Sequence, residues 1–188
     1  MDCRVFCVKV QENRLSKAKL EKLYRCFLEG KWLYNAVVAT DTLTLEDTSS
    51  VQIKVNGSFE ERKISTLSAQ MRQAVVESVK THVSNLSKAK KKGLKVGKLQ
   101  FKKECTEINL KQFNKTYTIK GKNKIHIQNI GVVVVSGLEQ INLDEVEIAN
   151  AKLLKKPSGF YINITTYSKK QPEVQTEKEV LGLDMGIK

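Results

Sequence analysis

Long apolar runs are missing from this 188-residue sequence. No stretch approaches the ~20 residues that a membrane-crossing helix requires. The opening MDCRVFCVKVQ is too short and too polar for a secretory leader. The expectation is a soluble, cytoplasmic protein with no membrane partner. Cysteine is sparse: Cys3, Cys7, Cys26 and Cys105 are dispersed without a CxxC pair, which excludes a zinc ribbon or a disulfide framework and fits buried thiols in a reducing cytosol. Histidine occurs twice. His126 alternates with Ile125 and Ile127, His82 lies in helical sequence, and neither has a Cys, Asp or Glu at ligand spacing, so both read as structural. With only two prolines, 40% apolar and 28% charged residues, disorder is excluded as the dominant state. A serine-nucleophile motif and a glycine-rich phosphate loop are absent as well.

Acid is also in short supply. Thirty-three Lys and Arg stand against twenty Asp and Glu, a formal charge of +13, which makes a polyanion the default partner. The excess is patchy. KAKKKGLKVGKLQFKK, residues 88–103, holds eight lysines and no acid, whereas Glu139, Asp144, Glu145 and Glu147 gather elsewhere. Lys88, Lys90, Lys91, Lys92, Lys95, Lys98, Lys102 and Lys103 are therefore the candidate phosphate track, each neutralised phosphate releasing counterions. Lys120, Lys122 and Lys124 add a second cationic cluster, and Phe101, Phe113 and Tyr117 are the aromatic residues interleaved for stacking.

At this length the chain can bury a core without staples. CRVFCVKV reads as a strand with Phe6, Val8 and Val10 on one face and Val5 and Cys7 on the other. The period then becomes helical. Leu20, Leu23, Tyr24, Phe27, Trp32, Leu33, Ala36 and Val37 mark one helix over about 16–39 with Ser16 as N-cap, and Leu67, Met71, Ala74, Val75, Val79, Val83 and Leu86 mark another over about 64–90. Between them VQIKVNG is either a short strand or a loop. Beyond Gly97 the period is two: a hairpin around KGKNK, a buried strand in GVVVVSG, and a hairpin turned by KKPSG whose last strand sets Phe160, Ile162, Ile164 and Thr166 opposite Tyr161, Asn163, Thr165 and Tyr167. A lone first strand must pair with distant ones, so the expected fold class is α+β, a β-barrel interrupted by a helical insertion. SKKQPEVQTEKE has no apolar period and reads as a linker.

The segment after it, VLGLDMGIK, is a short apolar strand, an Asp and a Gly two residues on. In one fold superfamily this pattern serves either Mg2+-dependent phosphodiester hydrolysis or phosphate contacts in actin-like ATPases and sugar kinases. Kinases place Thr, Ser or Asn soon after the Gly, whereas Ile187 and Lys188 follow here, which favours the nuclease reading. An ordinary strand-ending Asp is the third option.

These residues resemble the first RuvC motif of the TnpB proteins of insertion sequences and their relatives, the type V CRISPR effector nucleases. That motif reads roughly G-[IL]-D-x-G-[IL], matched by Gly182, Leu183, Asp184, Met185, Gly186 and Ile187. Upstream, GKWLYNAVVA resembles the Tyr-Asn segment of the first helical hairpin in TnpB recognition lobes. The stretch from LSAQMRQ to LQFKK resembles the long helix and its basic exit, with Lys98 and Leu99 where Pro and its neighbour are expected. IQNIGVVVVSGLEQ and EIANAKLLKKPSGFYINITTY resemble the paired strands that precede RuvC.

The resemblance implies an oligonucleotide-binding-like wedge barrel (1–12 and 98–168), a helical recognition insertion (13–97), a linker (169–178) and the start of an RNase H-like RuvC domain (179–188). It implies guide RNA and target DNA as partners in a prokaryotic cytoplasm, with base pairing reading most of the target. Asp184 would be the first catalytic acid and a Mg2+ ligand. The other acids of a two-metal site would lie beyond residue 188, so the chain alone should not cut DNA, and the remaining nuclease half should come from the same or another chain. The alternatives are a nuclease-dead nucleic-acid-binding regulator of the same family and an actin-like ATPase fragment.

Overall fold

The computed structural model describes residues 1–40 and 42–168. Asp184, the linker and the terminal strand expectation lie outside them, as does the question of whether the last residues are ordered.

Nine strands and two long helices form among the described residues. Strand β1 (Asp2–Val10) leads through a 3-10 turn at Glu12–Arg14 into helix α1 (Lys17–Val38), then strands β2 (Ser50–Val55) and β3 (Ser58–Lys63) and helix α2 (Ala69–Lys91). The remaining strands are β4 (Glu107–Leu110), β5 (Tyr117–Ile119), β6 (Lys124–Ile127), β7 (Gly131–Ser136), β8 (Val146–Lys156) and β9 (Gly159–Ser168). The class is α+β, as the sequence periods require.

Seven strands form one antiparallel sheet in the order β4-β8-β9-β1-β7-β6-β5. The first strand lies in its middle. Val8 stands opposite Ile162 of β9 and Val10 opposite Val135 of β7: β9 pairs with β1 from Asp2 to Lys9 and β7 with Lys9 and Val10, both strands lying more than a hundred residues away. The sheet curls into a nearly closed barrel, compatible with an oligonucleotide-binding-like one. Six residues join the two edge strands β4 and β5. There the Thr116 hydroxyl donates to the Gln112 carbonyl at 2.8 Å, and the buried Tyr117 hydroxyl donates across to the Ala149 carbonyl beside a bulge in β8. The inward residues Val8, Val10, Ile108, Leu110, Ile125, Ile127, Val133, Leu153, Ile162 and Ile164 are all buried and form the barrel core.

Both helices lie in sequence between β1 and β4. Ser16 caps α1 by accepting the Lys19 N–H, and Ser68 caps α2 by accepting the Met71 N–H. The second helix therefore starts five residues later than its periodicity predicts. Ser68, extended and supplying the cap, sets that start, and a buried carboxylate holds the turn before it. Glu29 of α1, 0% exposed, accepts the backbone N–H of Ser65 at 3.2 Å, Thr66 at 2.8 Å and Leu67 at 3.0 Å, with Arg25 on its outer side at 3.0 Å. Those amides are thus spoken for by a residue far away in sequence. Gly30, next to Glu29, lets α1 meet β4, since a Cβ there would stand 2.6 Å from Ile108 Cδ1.

VQIKVNG resolves as a strand. It is β2, joined to β3 by Asn56 and Gly57 with φ of 48° and 93°, the two-residue turn whose left-handed backbone matches strand twist. Strand β4, in EINL, carries too few residues to announce itself by alternation.

Candidate nucleic-acid interface

The lysine track divides into a helix end and a return segment. Between Glu77 and Glu104 the sequence contains no acid. Beyond Val79 no residue of α2 is fully buried; His82, Val83, Leu86 and Ala89 are half-buried and the others exposed, so one face stays covered while the lysines reach solvent. Lys88, Lys90 and Lys91 occupy the final turn and Lys92 the C-cap, where cations complement the negative end of the helix dipole. Gly93 at φ 78° turns the chain back, and Lys95 and Lys98 follow, exposed, with Phe101 62% exposed.

The return segment is then pinned to α1. Asn35 grips the backbone of Lys102 at both ends: its amide nitrogen donates to the Lys102 carbonyl at 3.0 Å and its carbonyl accepts the Lys102 N–H at 2.8 Å. The Lys102 ammonium lies 4.2 Å from the Tyr34 ring centroid, a close cation–π contact. The Tyr34 hydroxyl meets His82 Nδ1 at 3.5 Å, and burial pushes that hydroxyl's pKa up. The Tyr-Asn pair of α1 thereby ties helix α2 and the basic exit together.

Lys103 begins a groove that the sequence did not disclose. One cavity of about 260 Å³ is lined by Lys31, Lys103, Lys155, Tyr24, Leu28 and Glu104, whose carboxylate accepts from the Lys155 ammonium; the next, about 470 Å³, by Glu12, Tyr24, Lys155, Lys156 and the Pro157–Phe160 turn. The two cavities share Tyr24 and Lys155 as lining residues. Tyr24 is 48% exposed. Its position is fixed by edge-to-face packing on the buried Phe160, centroids 5.0 Å apart, and the Lys155 ammonium lies 5.8 Å from its centroid. Beyond the turn, Lys156 and Lys9 flank the Tyr161 ring at 4.8 and 5.8 Å.

Other sequence expectations are placed differently. Tyr117, expected to stack on bases, is fully buried inside the barrel, and Phe113 packs against it at 5.4 Å, half-buried. Only Phe101 of that trio offers an open ring. Lys120, Lys122 and Lys124 sit at the β5–β6 hairpin on the outermost strand of the sheet, where Lys122 borders an apolar cavity with Leu138 and Ile141. They are a separate surface from the 88–103 track. Cys26 and Cys105 are buried. Burial, reinforced for Cys26 by the Glu29 carboxylate, holds both thiols protonated, so neither has the thiolate character of a nucleophile or metal ligand.

Among the described residues no three His, Cys, Asp or Glu side chains come together as a metal site. No protein-family model matches the chain, and no curated protein matches it.

Proposed function

We propose that this chain is a nucleic-acid-gripping module, the wedge and recognition part of an RNA-guided DNA endonuclease of the TnpB and type V CRISPR effector kind. In this reading the helical segment 13–97 is the recognition insertion, and the surfaces described above hold guide-RNA scaffold, the motif flanking the target and the guide–target heteroduplex. Asp184, outside the described residues, is the first RuvC acid. The described residues offer no ligand set for the Mg2+ such nucleases use, and the role assigned to them is gripping rather than cutting. The alternative, a nuclease-dead regulator of the same family, uses every binding surface named and differs in predicting that Asp184→Ala changes nothing measurable.

The observation that carries the reading is the acid-free stretch from Lys80 to Lys103, running out along the end of α2 and fastened back to α1 through Asn35 and Tyr34. A solvated helix end needs neither the length nor the fastening. The backbone of nucleic acid rewards both, because each lysine–phosphate contact lowers the log–log salt slope by about 0.7 to 0.9. Fluorescence anisotropy on a labelled structured RNA, titrated across salt, should show the triple variant Lys90→Ala, Lys91→Ala, Lys92→Ala losing ~2 to 3 units of slope. An unchanged slope, or wild-type binding indifferent to salt, would remove the reading.

A further inference from the structure

We propose that the cavity between α1 and the β8–β9 turn receives one unpaired guanine of a single-stranded segment, with Glu12 reading its Watson–Crick edge and Tyr24 its ring face. This rests on the nucleic-acid-binding reading above and adds a base preference to it.

The charge pattern selects a base over a phosphate. The Glu12 carboxylate lines the cavity, while Lys155 and Lys156 lie along the turn side. A phosphate placed against Glu12 meets like charge; a base edge rich in N–H meets an acceptor, and the neighbouring phosphate meets Lys156, while Lys155 is already paired with Glu104. Glu12 is also held in place. Its Oε1 accepts the Phe160 N–H at 3.3 Å, and Gly159 has no Cβ where that oxygen stands, so the carboxylate rests directly on the turn backbone. Its Oε2 has no protein donor among the described residues.

A carboxylate fixed this way accepts two parallel N–H bonds, and guanine alone presents adjacent N1–H and N2–H₂ donors on its pairing edge. Cytosine offers the N4 amino group beside an acceptor, adenine an amino group beside an acceptor, uracil one imino N–H between two carbonyls. The half-exposed Tyr24 ring, braced on Phe160, supplies a stacking face for any of them. Stacking sets affinity and Glu12 sets identity. A cavity of about 470 Å³ admits a purine together with its sugar.

The test uses anisotropy with labelled strands of about ten nucleotides: all-uridine, the same with one central guanosine, and the same with inosine, each in ribose and deoxyribose form. The guanosine strand should bind about 5- to 150-fold tighter than all-uridine, with inosine, which lacks the N2 amino group, between them. Glu12→Gln should erase that preference, read as the ratio of guanosine-strand to all-uridine affinity, because the amide oxygen keeps the Phe160 bond while the amide nitrogen presents a donor where the second acceptor stood. Tyr24→Leu should weaken every strand alike while keeping the packing on Phe160. Preference confined to the ribose series supports the site and names RNA as its source; preference in both series supports it for either strand. Equal binding of all strands with a normal salt slope overturns this inference alone, as does a guanosine preference that survives Glu12→Gln. Absence of binding to any strand overturns it together with the functional reading.

Discussion

Replacing Glu29 with Gln should be among the most damaging single-atom changes available to this fold. The carboxylate is fully buried and takes five donors: on Oε1 the Arg25 guanidinium and both the N–H and hydroxyl of Ser65, on Oε2 the N–H groups of Thr66 and Leu67. An amide keeps one acceptor and turns the other into a donor. Placed to spare Arg25, it points N–H₂ at two buried N–H groups; the reverse placement opposes the Arg25 and Ser65 donors. Each buried donor left without a partner costs about 1–3 kcal/mol, and a bond to a charged acceptor is worth about 1.5–3 kcal/mol. The sum for two amides is roughly 3–5 kcal/mol, a large share of the ~5–15 kcal/mol that holds an ordinary domain together. Urea unfolding followed by circular dichroism, with a slope near ~2 kcal/mol per molar, should show the midpoint falling by about 1.5–2.5 M. Arg25→Ala is the control. Its loss removes one donor from Oε1 and leaves both amides on Oε2 bonded, so it should cost less than Glu29→Gln. A Glu29→Gln protein within about 1 kcal/mol of wild type, or one whose amides at 65–67 keep their hydrogen-exchange protection, would refute the argument that this carboxylate holds the turn leading into α2.

Asn35→Ala should release the return segment without unfolding the helices: trypsin cleavage at Lys98, Lys102 and Lys103 should speed up several-fold and RNA affinity should fall. Unchanged cleavage would show that Asn35 does not pin this segment. Stability should fall with rising alkalinity on account of the buried thiols. Cys26 and Cys105 are held protonated by burial in the fold, while the unfolded chain releases those protons from about pH 8.5. Above that pH the unfolded state binds fewer protons, so stability present below it is lost as pH rises, by up to ~1.4 kcal/mol per pH unit per thiol. Unfolding midpoints from pH 7 to 10.5 should show a shallower decline in Cys26→Ala, and a thiol reagent at pH 8 should modify the exposed Cys3 and Cys7 well ahead of the other two. Four thiols reacting at one rate would contradict the burial on which this depends.

What could be read beforehand follows from range. Ser16 and the stripe from Leu20 to Val37 are local, and α1 begins and ends within a residue of where they place it. Phe160, Ile162, Ile164 and Thr166 alternate cleanly and are buried as expected. The start of α2 was out of reach because the cap at Ser68 is one of several serines in that stretch, and the turn before it is held by Glu29, thirty-six residues upstream of Ser65. Tyr117 looked available because lysines are interleaved nearby in the sequence; closure of the barrel through Ala149 buries it. Tyr24 looked like one more member of an apolar stripe, and only Lys155 and Phe160, brought by strands more than a hundred residues later, make it the wall of a groove. The lysine track was legible as charge, but its anchorage was not, since an Asn side chain gripping a backbone unit leaves no periodic trace.

The central position of β1 has a cost during synthesis. Its two neighbours emerge from the ribosome long after it does: roughly 150 residues separate Val10 from Gly159, which at about 5–20 residues per second is about 7–30 s of translation. Throughout that interval a nine-residue strand with Phe6, Val8 and Val10 on one side has both hydrogen-bonding edges open. Nascent chains of this protein must therefore be shielded, by a holding chaperone or by low local concentration, against pairing with each other's first strand before their own ninth arrives.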